Sequence, residues 1–499
     1  MRCWIAGVAA LLLAPLLLVD IPPLLDYPNH LARLFLLAHG RDDAILAPMF
    51  MVRWGVIPNL AIDLIGPPLI RWLPVHIAGR LLLAMVLLLP FAGVLALQFV
   101  LFRRVHPWAL ASALILPSGA FLLGFLNFIA GLGGALLLAA WWIGGRERRP
   151  VPTVVVAMAG SAALFFCHLM GVLFALVLIF AWEARSPRRL AVAALVALPP
   201  GLLYLAAPLG EVAGGAKYLS LAVKLGQVMA PFVSYNAWLD GLTAIAVAGF
   251  VIACAVSGRL EAPRGIRWAL AALAGLYAVS PYAFKGTYWL DTRFAAMFAL
   301  LLFAGVRPKA LPRSIGVVVL VVFVGLLVAR SGLLAEAWAG HNRDIAELRT
   351  VIAPVRPGTR VFVTSVAPDE APDYWARAPL ARRFSNGIRS DDHLPALLLI
   401  ERRAFWPLLF DDPSQQPVRY AREYRALAGE NGGLLAHRQV GAAMLCGYDF
   451  VLLLGAGGEP DLAGFAGGFL TLEKATDAAA LFRVRTGALP CPTVRPPVD

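Results

Sequence analysis

Residues 81–104 read LLLAMVLLLPFAGVLALQFVLFRR. From Leu81 to Phe102 the only strongly polar side chain is Gln98, and the run stops at Arg103-Arg104. An α-helix needs roughly 20 apolar residues to cross a hydrocarbon core, and arginines directly after such a run hold that end in the cytoplasm. This stretch therefore reads as a membrane span, and the rest of the chain repeats its grammar. Further apolar runs lie at 4–19, 108–123, 128–143, 151–166, 169–183, 190–207, 237–257, 267–284, 294–306 and 314–330, for about eleven spans in all. Arg103-Arg104, Arg146 with Arg148 and Arg149, Arg185 with Arg188 and Arg189, Arg259 with Arg264 and Arg267, and Arg307 with Lys309 and Arg313 mark every second junction. The short junctions between them, Gly124–Asn127 and Cys167-His168, carry no Lys or Arg. Such alternation is what the positive-inside rule requires of a chain whose N-terminus lies in the cytoplasm.

Composition points the same way. Of 499 residues, 60% are hydrophobic and 15% charged, with a mean hydropathy of +0.75, too apolar for a soluble chain of this length. The net charge of +13 does not indicate a nucleic-acid partner. Its basic residues sit in the clusters between apolar runs, not interleaved with aromatics on one polar surface. The N-terminal run resembles a secretory signal, but Leu17-Leu18-Val19-Asp20 offers no small-x-small cleavage site. It reads as an uncleaved first helix.

The expected fold is thus a polytopic α-helical membrane body over residues 1–335, with a long outward segment over 20–80. Within that segment Leu31–His39 and Ile57–Leu73 are amphipathic and suited to lie along the interface. After Arg330 the composition turns to charges, prolines and short alternating runs. Residues 341–499 read as a small soluble α/β domain. Strands are expected at Arg360–Val366, Tyr448–Leu454 and Ala480–Arg485, and helices at Asp344–Ile352, Val418–Gly429 and Leu434–Leu445. An odd number of spans puts this domain outside the plasma (inner) membrane, in the periplasm or its equivalent. There Cys446 and Cys491 can pair if the compartment is oxidising. No Walker or dinucleotide-binding pattern is present.

Ionisable groups near spans are costly, so their placement is informative. The outward side collects most of them, and the densest group is Asp20-Ile-Pro-Pro-Leu-Leu-Asp26-Tyr27-Pro28-Asn29-His30. Pro22, Pro23 and Pro28 stop the first helix and set a defined loop. Asp26 reads either as the N-cap of the next helix or as a carboxylate general base, with Asn29 and His30 as neighbouring contacts. His168 reads as a helix-end polar residue or a site residue. Lys285-Gly-Thr-Tyr-Trp-Leu-Asp291-Thr-Arg293 gathers a lysine, an acid and an arginine with aromatics. It suits either a lipid phosphate or an interfacial aromatic belt with an Asp291–Arg293 pair. Ser390-Asp391-Asp392-His393 reads as a solvated loop in preference to a metal site, since no partner ligands accompany it.

These features together resemble the GT-C class of integral membrane glycosyltransferases. The residues that carry the likeness are Asp20 and Asp26 in DIPPLLDYPNH, the short outer turn GFLNF at 124–128, and LDTR at 290–293. The likeness covers the layout of roughly residues 1–330. Unlike protein O-mannosyltransferases, the chain has Tyr27, not an acid, after Asp26. The resemblance implies transfer of a sugar from a polyprenyl-phosphate donor to a glycan, lipid or protein acceptor on the outer side of the bilayer. Asp26 would take the acceptor's proton, with Asp20 as alternative base or partner, and Lys285 and Arg293 would hold the donor phosphate. Such an inverting displacement uses no nucleotide, and some members of the class use a divalent metal. A transporter or flippase is the first rival reading, but it would place ionisable groups at the bilayer midplane of matched repeats. A non-catalytic assembly or anchoring protein is the second.

Overall fold

The computed structural model describes residues 1–208, 215–285, 287–366, 378–429, 433–455, 468–485, 487, 489 and 491. Long apolar helices dominate it. Six are long and apolar enough to cross a membrane: Val75–Phe102, Leu126–Gly145, Pro150–Cys167, Pro187–Ala206, Ala237–Val256 and Arg313–Ile352. Apolar helices at Arg2–Leu13, Leu169–Glu183, Arg264–Val279 and Leu290–Gly305 match other expected spans but are shorter. Leu126–Gly145 is the central helix, with 72% of its apolar window buried, whereas Pro187–Ala206 and Arg313–Ile352 bury 17%. The peripheral helices instead present large apolar side chains outward, such as Val256, Val318 and Val321. Such a surface suits a multi-pass membrane protein, because lipid tails can cover it and water cannot do so cheaply.

One expected span is not a helix. Residues 108–123 break into a turn of helix at Pro107–Leu110, a 3-10 turn at Ala111–Leu114 and a short turn at Gly119–Leu122. Pro117 pushes the residue before it away from helical angles, and Ser118 follows in an extended conformation (φ −144°, ψ −178°). Trp108, Leu114, Phe121 and Leu122 on this stretch are all buried. Irregular backbone at apolar depth is tolerated when protein surrounds it, as here. A Cβ on Gly119 would lie 2.0 Å from the carbonyl oxygen of Ala230, so residues 227–232 can pack against this segment only because Gly119 has none.

We label α1 the helix Tyr27–Phe35, α2 Ala61–Trp72 and α3 the 40-residue helix Arg313–Ile352. The composition change at Arg330 is not a break in the chain, because α3 runs straight through it. What changes is its surroundings. Val317 to Val328 are mostly exposed and apolar, whereas Leu334, Trp338, Ile345 and Leu348 are buried against the C-terminal region. That region holds β2 (Val361–Ser365), β4 (Leu435–Ala436), β5 (Phe450–Leu454), β6 (Leu470–Ala475) and β7 (Ala479–Val484). They form one five-stranded sheet in the order β4-β2-β5-β7-β6. β2 runs parallel to β4 and β5, with Val361 opposite Phe450, and β7 is antiparallel to both its neighbours. β2 and β5 are buried along their whole length, as strands covered on both faces must be.

Three expected strands therefore form, and β6 joins them without having been expected. The helix expected at Val418–Gly429 begins as strand β3 (Val418–Tyr420) and turns helical only from Arg422. Leu434–Leu445 is not a helix either; it is β4 followed by two 3-10 turns. β3 is claimed by the outward segment, since β1 (Phe50–Val52) pairs with it antiparallel, Phe50 opposite Tyr420. Tertiary pairing has overridden local helix propensity there. Cys446 and Cys491 form a disulfide with Cα atoms 5.6 Å apart. Buried ion pairs brace the rest, among them two between helices of the body. Arg33 on α1 meets Asp63 on α2 at 2.7 Å, and Arg330 on α3 meets Asp240 at 2.8 Å. Asp240 also accepts from the Ser385 hydroxyl at 2.6 Å, tying the membrane body to the C-terminal region.

Candidate functional site

Asp26 is held from three directions. The first helical run ends at Leu17, ahead of Pro22 and Pro23, and Asp26 occupies the N-cap position of α1, yet its side chain caps nothing. Its backbone is instead paired with the outer turn. The Leu25 amide donates to Leu122 O at 2.9 Å and the Asp26 amide to Leu123 O at 3.3 Å. Gly124 follows at φ +83°, where a Cβ would sit 2.8 Å from the Asp26 Cβ. Only glycine meets both demands, the left-handed angle and the contact. The GFLNF turn is thus the floor under Asp26, and its carboxylate is left for tertiary contacts.

The partner it finds comes from the other end of the chain. His393 Nδ1 lies 3.2 Å from Asp26 Oδ1, the two side chains being 15% and 18% exposed. The Ser390–His393 string is therefore not a solvated loop. Ser390 and Asp391 are buried, and Arg389 spans Asp391 at 2.9 Å and Asp392 at 3.2 Å. Burial pushes the Asp392 carboxyl above the usual carboxylate range, aided by Asp391 and Asp26 and opposed by Arg389 and His393. Edge-to-face contacts with Phe410 at 5.0 Å and Trp406 at 6.1 Å fix the His393 ring. Asn29, fully buried, clamps that aromatic segment. Its amide nitrogen donates to Leu408 O at 2.8 Å and its oxygen accepts from the Phe410 amide at 3.1 Å. His30 Nε2 lies 3.2 Å from Gly124 O, while its Nδ1 is buried without a partner. Burial holds the His30 imidazole well below its ordinary range, and the charges of Arg33 and His393 add to this.

Arg293 stands on the far side of the same turn. Its guanidinium lies over Phe125 at 4.7 Å and Phe128 at 5.5 Å, with one terminal nitrogen 2.7 Å from His168 Nε2. Among the described residues no carboxylate comes within 4.0 Å of it, its Nε is buried without a partner, and Asp26 is the acid whose charge it feels. His168 also caps Leu169–Glu183 through Nδ1, which accepts from the Met170 amide at 2.9 Å. A neutral imidazole accepts at one nitrogen only, so the Met170 amide and Arg293 compete for it. The arginine is therefore a buried cation whose hydrogen-bonding capacity is not used up.

The other expected residues fall elsewhere. Asp20 pairs with Arg349 at 3.3 Å, Arg349 with Glu401 at 2.8 Å, and Glu401 with His76 at 3.2 Å. This network joins four parts of the chain at the surface, so Asp20 is a brace with partners separate from those of Asp26. Lys285 is exposed, at φ +44°, with its Nζ 5.9 Å over the Phe284 ring, and makes no contact with Asp26, His168 or Arg293. Asp291 does not pair with Arg293; it accepts from the Thr292 amide at 2.9 Å in the first turn of Leu290–Gly305. Among the described residues no three His, Cys, Asp or Glu side chains are arranged to hold a metal ion.

A mostly apolar cavity of about 370 Å³ opens near the GFLNF turn. Leu116, Leu123, Met229, Trp289, Leu300 and Phe384 are among its walls. Thr292 also lines it, directly before Arg293, and Leu123 is the residue whose carbonyl holds the Asp26 amide. The broken segment 108–123 supplies one wall, which a continuous helix would not have shaped. No protein-family model, curated protein or solved structure matches the chain.

Proposed function

We propose that the protein is a multi-pass glycosyltransferase of the GT-C type, moving a sugar from a polyprenyl-phosphate donor to an acceptor hydroxyl. The reading places it in the plasma (inner) membrane with its N-terminus in the cytoplasm. It puts the Asp26 cluster and the C-terminal region on the extracytoplasmic side, as the alternation of basic junctions requires. Shorter helices and the irregular stretch 108–123 then supply the crossings beyond the six long ones.

The observation that carries the reading is Arg293. A buried guanidinium without a carboxylate is expensive unless an anion completes it, and this one directly follows Thr292, a wall residue of the apolar cavity, and feels the charge of Asp26. A lipid phosphate supplies both the missing charge and the apolar tail. Arg293 would stabilise the phosphate as it leaves, and the acid–base centre at Asp26 would accept the acceptor's proton. Lys285, exposed and apart, is left out of this role. A transporter would need its ionisable groups along a path through the bilayer, whereas these gather at one end of the helices.

The test is binding of a polyprenyl monophosphate to the purified protein in nanodiscs. Arg293→Met should weaken binding by about 10- to 100-fold, the value of one or two charge-assisted hydrogen bonds, and leave binding of the corresponding polyprenol unchanged. Equal phosphate binding by wild type and Arg293→Met would remove the basis of the proposal.

A further inference from the structure

Asp26 and His393 are more than 360 positions apart in sequence, yet their side chains meet at 3.2 Å. We infer that His393 is the group that takes the acceptor's proton, and that Asp26 is the positioning residue that orients and charges it. This deepens the glycosyl-transfer reading and rests on it.

His393 Nδ1 is buried and faces Asp26 Oδ1, with no other hydrogen-bonding partner. The contact meets the distance but not the angle of a hydrogen bond, a common state of catalytic pairs before substrate binds. A carboxylate beside Nδ1 selects the tautomer with hydrogen on Nδ1, which leaves the Nε2 lone pair free to accept a proton. The ring is 15% exposed although Nδ1 is buried, so another part of it reaches open space. Phe410 and Trp406 hold its plane, and Asn29 holds Phe410. An orienting acid, an imidazole with one free nitrogen and fixed aromatic walls together make a base whose protonated form the acid stabilises. A carboxylate alone is a weaker base near neutral pH than an imidazole paired with one.

The step balances without a further reagent. The acceptor oxygen forms a bond to the anomeric carbon, and the bond from that carbon to the phosphate oxygen breaks, its electron pair passing to the phosphate beside Arg293. The hydroxyl proton passes to His393 Nε2, and the imidazolium then returns it to water. The charged and titratable groups around the pair are Asp392, His30 and Arg293, with Arg389 and Asp391 behind Asp392.

The test uses full-length protein in proteoliposomes with polyprenyl-phosphate hexose donors. Wild type should transfer sugar, and His393→Gln should lose about 100- to 10,000-fold in kcat with the KM for the donor nearly unchanged. His393→Ala should regain part of the rate with added imidazole, which a merely structural role would not allow. A second readout does not depend on turnover. The nitrogen-15 chemical shifts of the His393 ring should show its hydrogen on Nδ1 in wild type and a mixture of the two tautomers in Asp26→Asn. Wild-type transfer matched by His393→Gln in rate and pH profile would overturn the inference and leave the enzyme reading standing. An unchanged His393 tautomer in Asp26→Asn would also overturn it. Absence of transfer by wild type with every donor would instead overturn the enzyme reading, and the role of His393 with it.

Discussion

Asn29→Ala should loosen the contact between α1 and the C-terminal region, and with it the aromatic segment that holds the His393 ring. Asn29 is fully buried and makes two hydrogen bonds across that contact, from its amide nitrogen to Leu408 O and from the Phe410 amide to its oxygen. Alanine removes both and leaves a carbonyl and an N–H without their partners. Each such group costs about 1–3 kcal/mol when buried, so the pair costs about 2–6 kcal/mol, and water entering the vacated space would take the lower half of that range. Native-state hydrogen exchange reads this directly, because opening free energy sets the exchange rate of a protected amide. A loss of about 2 kcal/mol corresponds to roughly 30-fold faster exchange. The acceleration should centre on residues 405–411, while β2 and β5 keep their protection. Asn29→Asp separates the two bonds, since it keeps the acceptor for Phe410 but sets a carboxylate against the Leu408 carbonyl. It should be worse than alanine. Unchanged exchange at 405–411 in Asn29→Ala would refute the reasoning that this side chain fastens the two regions.

Gly124→Ala would force a side chain into the left-handed region, at about 1–2 kcal/mol, and against the Asp26 Cβ. Wild-type protein should thus exceed it in sugar transfer by about 100-fold, the cost of displacing a reacting group by up to 1 Å. His30 is buried neutral with its ordinary value depressed, so its folded form resists protonation and the unfolded form binds more protons below about pH 6.5. Stability in detergent should be full above that pH and fall as pH drops below it, and His30→Gln should flatten this slope in melting scans from pH 7.5 to 5. Protein isolated from its membrane without reductant should take up maleimide at Cys3, which is exposed, and at Cys446 and Cys491 only after reduction. Labelling of both without reduction would contradict an extracytoplasmic C-terminal region.

The helical, multi-pass body could be read from local pattern, because the length of an apolar run is a property of contiguous residues. Segment 108–123 escaped that reading although its signals, Pro107, Pro117 and the glycines at 119 and 124, were present; mean apolarity outweighed them. The site was half legible. Asp26 and Arg293 stood out as ionisable groups at the ends of apolar runs, and His168 as a polar residue in a two-residue junction. Their gathering on one turn depends on packing between helices, which no window of sequence contains. His393 was misjudged for the same reason, since a histidine after two aspartates looks solvated until the segment around Phe410 folds over it. Asp20 shows the converse error: five proline-rich residues separate it from Asp26, and that short loop turns the two carboxylates toward different partners.

The central claim is that a lipid phosphate sits between Arg293 and the Asp26–His393 pair. It is tested most directly by determining the structure in nanodiscs with a bound polyprenyl monophosphate. The account predicts phosphate density within hydrogen-bonding distance of Arg293, with the chain running into the cavity lined by Leu116, Met229 and Leu300. Lipid bound elsewhere, with Arg293 still against His168, would contradict it.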